Sequence, residues 1–149
     1  TPAELDRFAA QAIPAEPGTT SVPAGVLSFG RFIPEPRRFP STYPTGRQYL
    51  PKCIRWRLVN WGTKWEAYNT TVSRVSRRRL RYTFATAWQP PVPWLKTVSR
   101  RFPSLTFSLH AFDYDDPRKS YYARAGKWYR RKGRKLVRTR VSWQVYCLA

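Results

Sequence analysis

Residues 79–112 read RLRYTFATAWQPPVPWLKTVSRRFPSLTFSLHAF, and this stretch decides the fold. Its first part alternates apolar and polar side chains, which predicts a strand over 79–87. Three closely spaced prolines then stop the strand and open a helix that we expect to run over about 92–102. Renewed alternation predicts a further strand over 105–112. A strand, a helix and a strand in this order indicate an α+β domain.

The flanking segments extend this pattern in both directions. Residues 1–13 predict a helix, because a capping box precedes an amphipathic run. Residues 66–74 predict a strand that forms a hairpin with 79–87. On the C-terminal side, 120–130 and 136–147 predict two more strands around a turn at 131–134.

Residues 14–52 are irregular and rich in proline, glycine, serine and threonine. Long loops of this kind are often functional or ordered by a partner. A poorly ordered excursion is the alternative, and the sequence favours neither.

Three motifs carry a family resemblance. They are NWGTKW (60–65), FATAWQPP (84–91) and SRRFPSLTF (99–107). The segment TPAELDRF (1–8) also resembles the family's first helix, and LSFGRFIPEP (27–36) resembles the segment that follows it. With these motifs the chain resembles the YubB family of ferredoxin-like domains, which plasmids and phages carry.

The resemblance implies a βαββαβ sandwich, in agreement with the residue patterns, but no established chemistry. The family's first strand has no counterpart in this sequence, and a strand preceding residue 1 is one explanation. We therefore expect a single ferredoxin-like α+β domain over 1–149, with two helices, 2–13 and 92–102, on one face of an antiparallel sheet. The Pro-rich loop at 14–52 and a basic C-terminal hairpin at 118–147 complete it.

The charge of the chain restricts its partners. Lys and Arg number 28 against 8 Asp and Glu, a formal net charge of +20. Such an excess favours phosphate backbones, anionic membranes or acidic proteins, and a solvated basic surface is the alternative. No apolar run reaches the about 20 residues that span a bilayer, and no secretion signal is recognisable. We expect a soluble cytoplasmic protein that does not bind membranes.

The sequence offers little for catalysis or metal binding. Cys53 and Cys147 share no metal-ligand spacing, and we expect both to be reduced. The three aspartates of 113–116 lie near His110, the single histidine. They could hold Mg²⁺ in a nuclease, but a turn with local charge balance is the preferred interpretation. We expect no enzyme activity, no cofactor, no metal and no small-molecule substrate.

The motif at Asn60–Trp65 allows two interpretations. Trp61 and Trp65 could form a stacking platform for bases, with Lys64 beside them for phosphate. They could equally be core aromatics that close the sheet against a helix, and we favour this interpretation for the two rings.

Basic runs are the main functional signal. Residues 118–140 carry eleven Lys or Arg, no Asp or Glu, and interspersed aromatic residues, which suits a nucleic-acid groove. A solvated hairpin with its aromatic side chains in the core is the alternative. The predicted nucleic-acid-binding residues are Lys64, Arg77, Arg78, Arg79, Arg81, Arg118, Lys119, Arg124, Lys127, Trp128, Tyr129, Arg130, Arg131, Lys132, Arg134, Lys135, Arg138 and Arg140.

Two functions remain in competition. The first is a nucleic-acid-binding accessory protein of phage or plasmid type, with RNA or single-stranded DNA favoured because of the aromatic residues. The second is a protein-interaction module that docks on an acidic host or defence complex, such as an inhibitor of a nucleic-acid-handling machine.

Overall fold

The computed structural model describes residues 1–13, 25–39, 50–112 and 119–139. These residues form three helices and six strands. The helices are α1 (Pro2–Ala12), α2 (Leu50–Asn60) and α3 (Val92–Arg101). The strands are β1 (Tyr68–Ser76), β2 (Arg79–Ala85), β3 (Thr106–Ala111), β4 (Lys119–Arg124), β5 (Lys127–Lys132) and β6 (Lys135–Thr139).

The strands form two antiparallel sheets. β1 and β2 pair as a hairpin, and β3, β4, β5 and β6 follow one another in a four-stranded sheet. Phe8 of α1 packs against Tyr82 of β2 at 5.8 Å and against Phe107 of β3 at 5.5 Å between ring centroids. Because one helix residue contacts both sheets, both turn their inner faces to the helices. This is the ferredoxin-like α+β arrangement that the sequence predicted.

Aromatic side chains form much of the core. Phe29 and Phe32 are fully buried, and their rings lie 4.9 and 5.5 Å from that of Trp94. Both belong to the predicted loop over 14–52. Its described part, 25–39, is therefore packed into the core, because its apolar residues cover α3.

Glu66 fixes this segment to the start of the β1–β2 hairpin. Its Oε2 accepts hydrogen bonds from Ser28 Oγ and Gly30 N, both at 3.1 Å. Its Oε1 accepts from the backbone N–H groups of Phe29 and Ala67. Burial raises the pKa of Glu66, and these hydrogen bonds oppose the rise. Because the side chain serves this connection, β1 begins two residues later than predicted.

Two predicted elements need correction. The helix α2 was not predicted, and it begins at the end of the predicted loop. The strand predicted over 120–130 is in fact two strands, because the chain turns at Ala125 and Gly126. Both have positive φ, 49° and 72°, as a tight two-residue hairpin requires. The basic hairpin is consequently a three-stranded meander, and its second turn falls at Gly133 and Arg134 within the predicted range.

The turn between β4 and β5 is docked on α3. Gly126 N donates to Ser99 Oγ at 2.9 Å, and Ser99 Oγ donates to the carbonyl of Lys96 at 2.9 Å. Ser99 is fully buried. The meander is therefore attached to the helical layer at this turn.

Several predicted features lie outside the described residues: the aspartates of 113–116, Arg118, Arg140, Cys147 and the end of the last predicted strand. Cys53 is buried on α2. Among the described residues, no three His, Cys, Asp or Glu side chains come together as metal ligands. No helix in the described ranges has the length and apolar character needed to cross a membrane.

Candidate nucleic-acid interface

The strand register divides the four-stranded sheet into two faces. Phe107, Ala123 and Trp128 are successive cross-strand partners, and all three belong to the core or pack against it. Trp128 is only 8% exposed, and its ring meets that of Tyr121 edge to face. Its predicted role in stacking on a base is therefore wrong. The ring occupies the inner face, where it covers α3.

The opposite face carries two tyrosines side by side. Tyr122 and Tyr129 are direct partners across β4 and β5, and Arg138 continues the same row on β6. Partners in an antiparallel pair share a face, and so do residues two apart on one strand. Four exposed cations consequently surround the tyrosine pair on what we call the outer sheet face: Arg124, Lys127, Arg131 and Arg138.

A shallow hollow lies on this face. It encloses about 140 Å³ and is lined by Thr106, Arg124, Tyr129 and Leu136. Within 106–111 and 119–139 there is no Asp or Glu. Since no carboxylate of these strands neutralises the four cations, the outer sheet face attracts anions.

The remaining predicted cations of the meander do not join this face. Four of them alternate onto the other face of the sheet, the face that carries Trp128: Lys119, Arg130, Lys132 and Lys135. They are exposed nevertheless. Arg134 lies in the turn between β5 and β6. The structure thus divides the predicted basic run between two sides of the sheet.

The arginines of the β1–β2 hairpin form a second basic group. Arg77 and Arg78 occupy its turn, and Arg79 and Arg81 point away from the helices, because their neighbour Tyr82 points towards them. Both sheets direct their inner faces at α1. Arg79 and Arg81 are therefore exposed on the outer surface of this hairpin.

The motif at Asn60–Trp65 is divided between core and surface. Trp61 is 2% exposed, and its Nε1 donates to the carbonyl of Ile33 at 2.9 Å, so the core interpretation is confirmed for this ring. Trp65 is 40% exposed. Lys64 Nζ lies 4.7 Å from the ring centroid of Trp65 and 4.5 Å from that of Trp88. Trp88, which is 52% exposed, was not among the predicted site residues.

Lys64 is distant from the other predicted cations along the sheet. It precedes β1, whereas Arg77–Arg81 lie at the opposite end of the β1–β2 hairpin. The described residues therefore present Lys64 and the hairpin arginines at separate places, and Lys64 is not one of the residues of the outer sheet face.

His110 has a structural role on the outer sheet face. Its Nδ1 lies 2.9 Å from Ser120 Oγ on the neighbouring strand. Its ring meets that of Tyr122 edge to face at 6.0 Å. These contacts hold the first tyrosine of the pair in place.

The helices on one side and the antiparallel strands on the other define a ferredoxin-like α+β protein with a basic, aromatic outer sheet face. Comparison with known families agrees. Residues 60–130 match the family model described as "Ferredoxin-like domain in Api92-like protein". This match supports a ferredoxin-like family for just under half of the chain, and it ends before β6. Searches of curated proteins and of solved structures gave no significant match.

Proposed function

We propose that this protein binds RNA or single-stranded DNA through its outer sheet face. It would act in the cytoplasm as an accessory protein of phage or plasmid type, in line with the resemblance to the YubB family, and by binding rather than catalysis. The observation that carries the proposal is the Tyr122–Tyr129 pair, placed side by side among four cations on a sheet face whose described strands carry no Asp or Glu.

Each part of this surface suits one part of a nucleic acid. Arginine and lysine neutralise phosphates and release counterions, which supplies affinity on any sequence. Tyrosine rings stack on unpaired bases, whereas the bases of a duplex are already stacked and are not accessible to them. Aromatic side chains on the exposed face of a four-stranded sheet stack bases in RNA-recognition domains. This likeness is an analogy of architecture alone.

The net charge reinforces the local argument. A protein of +20 attracts polyanions over distances longer than any single contact, most strongly at low salt. Arg79 and Arg81 add exposed positive charge on the β1–β2 hairpin.

A second candidate function rests on a different surface. A groove of about 820 Å³ lies beside α2, and it combines apolar and basic side chains. Its lining residues are Arg38, Phe39, Lys52, Arg55, Trp56, Val59 and Asn60. Such a groove suits an acidic amphipathic segment of a protein, as docking on an acidic host or defence complex requires. A nucleic acid remains the first choice, because the paired tyrosine rings and the cations around them match the bases and phosphates of a single strand.

Two variants of equal charge separate these candidates. The outer-face variant changes Arg124, Lys127, Arg131 and Arg138 to Ser. The control variant changes four exposed cations on the helix side to Ser, namely Arg31, Arg37, Lys52 and Arg55. Each variant loses four positive charges, so only their positions differ. Binding to a single-stranded DNA and a single-stranded RNA of equal length is measured by titration at about 50 mM salt, a concentration at which phosphate contacts contribute strongly.

The outer-face variant should lose most of its affinity for both strands, and the control variant should keep most of it. Equal losses in the two variants would show that net charge alone acts, and the outer sheet face would not be a site. A wild-type protein that binds neither strand would end the proposal and leave protein docking in first place.

A further inference from the structure

The two exposed tryptophans near Lys64 form a site that the outer sheet face does not include. Trp65 and Trp88 keep 40% and 52% of their surfaces exposed. The ammonium group of Lys64 lies within 4.7 Å of both ring centroids, inside the range of cation–π attraction. We call these three residues the tryptophan clasp.

The backbone at Trp88 is held in an unfavourable conformation. Its φ is 72°, in the left-handed region that a bulky side chain rarely adopts. Gln89 N donates to the carbonyl of Ala87 at 3.0 Å across it. A three-residue turn closed by this bond at positive φ is the rare, strained form of the γ-turn. Such strain persists only where the surrounding structure enforces it, and it is frequent at ligand-binding positions.

The surrounding contacts fix both sides of the clasp. The carbonyl of Ala87 also accepts a hydrogen bond from Lys64 N at 3.4 Å, so one carbonyl joins the two loops. Thr63 is fully buried, and its Oγ1 donates to the carbonyl of Trp65 at 2.7 Å. Thr86 Oγ1 donates to the carbonyl of Gln89 at 2.9 Å. The rings are thus presented by a rigid base rather than by a mobile loop.

We propose that the tryptophan clasp is a binding site for an unpaired nucleotide, in which a base stacks on the exposed indole surface and its phosphate binds Lys64. This inference rests on the proposed function and extends it to a second contact with the same strand.

Charge selects this ligand over a cation. Aromatic rings attract ammonium groups, but here the Lys64 ammonium already lies within 4.7 Å of both ring centroids. A cationic ligand would have to displace the Lys64 ammonium from the rings. It would also be repelled by the net charge of the protein, which is +20. A phosphate is instead attracted by Lys64 and by the field of the whole molecule. Indole is a broad, sequence-tolerant surface for a base, because every base has a π-face.

The test compares three variants on three probes. The variants are Trp65→Ala, Trp88→Gly and Lys64→Gln. Glycine is chosen at 88 because it accepts positive φ, so the ring is removed while the backbone strain is relieved. The probes are a single-stranded oligothymidylate, a DNA duplex of the same length, and the same single strand with abasic sites in place of its bases.

Trp65→Ala and Trp88→Gly should each weaken binding to the single strand by about 5- to 150-fold, as loss of one stacked base predicts. Neither should change binding to the duplex or the abasic strand. Lys64→Gln should weaken binding to all three probes and lower the single-strand salt slope by about 0.7. Melting temperatures are measured alongside, and Trp88→Gly should melt at the wild-type temperature or above it.

Failure of this inference is distinguishable from failure of the proposed function. If the wild type binds the single strand and both tryptophan variants bind it equally well, the clasp is not a nucleotide site, while the outer sheet face stands. Equal losses on the normal and the abasic strand would also overturn the inference, because no base would then be involved. A wild type that binds none of the probes overturns both.

Discussion

At the scale of single residues, Trp128 and Tyr129 are neighbours in the sequence, but their side chains lie on opposite faces of the sheet. Trp128→Ala removes a buried ring and should lower the free energy of unfolding by about 3–5 kcal/mol. Tyr129→Ala removes a ring from the outer sheet face and should cost about 1–3 kcal/mol in binding to single-stranded nucleic acid. Urea denaturation and a binding titration on both variants measure the two effects. A Trp128→Ala variant of wild-type stability would contradict the assignment of this ring to the core.

Glu66 provides a test of pH dependence. Its pKa in the folded protein is raised above its ordinary value of 4.5, chiefly by burial. In the unfolded chain the group titrates near that ordinary value. Between the two pKa values the folded state therefore binds more protons than the unfolded state. The contribution of Glu66 to stability is complete below pH 4.5 and is lost as the pH rises through the folded pKa.

Glu66→Gln supplies the control for this prediction, because the amide keeps the shape but does not titrate. The free energy of unfolding of both proteins is measured in urea from about pH 4 to 8, a range that begins near the reference pKa of a glutamate. The wild type should lose stability relative to the variant as the pH rises. A relative gain would mean that the hydrogen bonds to the carboxylate outweigh its burial.

From the sequence it was possible to predict that tryptophans matter in this motif, but not which of them is buried and which is exposed. The motif at 60–65 gave two tryptophans four residues apart, yet Trp61 is buried and Trp65 exposed. Nothing in the local pattern separates them, because Trp61 is covered by Phe29 and Ile33 from a distant segment. The approach of Trp88 to Lys64 likewise depends on the turn after β2.

At the scale of elements, the turn between β4 and β5 should be sensitive to substitution. Gly126 has φ 72°, and a Cβ there would overlap the side chain of Arg100 on α3. Gly133, in the turn between β5 and β6, has φ 56° with open space around it. Gly133→Ala should therefore cost about 1–2 kcal/mol for the left-handed backbone alone. Gly126→Ala should cost more, and thermal unfolding of both variants measures the difference. Equal costs would show that the contact with α3 adds nothing.

The elements themselves were largely predictable. The helices α1 and α3 and the β1–β2 hairpin were predicted from the periodicity of apolar residues. The helix α2 was missed, because WRLVNW lies in a Trp-rich stretch without a clear polar face. The turn at Ala125 and Gly126 was missed, because alanine at positive φ is uncommon.

At the scale of the whole molecule, the sequence correctly indicated a ferredoxin-like α+β fold and an accumulation of cations near the C-terminus. It did not indicate how the cations are distributed, because that depends on strand parity. The unrecognised turn at Ala125 and Gly126 changes which residues of the strand that follows it face inwards. Only the register shows that Arg124, Lys127, Arg131 and Arg138 share a face with the tyrosine pair.

The most direct test of nucleic-acid binding is a salt series. The wild-type protein is titrated with single-stranded DNA from about 50 to 200 mM salt, and the logarithm of the affinity is plotted against that of the salt concentration. About six phosphate contacts should weaken binding to the single strand about 300-fold across this range, because each contact adds about 0.7 to the slope. The outer-face variant should give a shallower slope, because it has lost four cations. Absence of binding at about 50 mM, or an affinity that does not change with salt, would contradict the account.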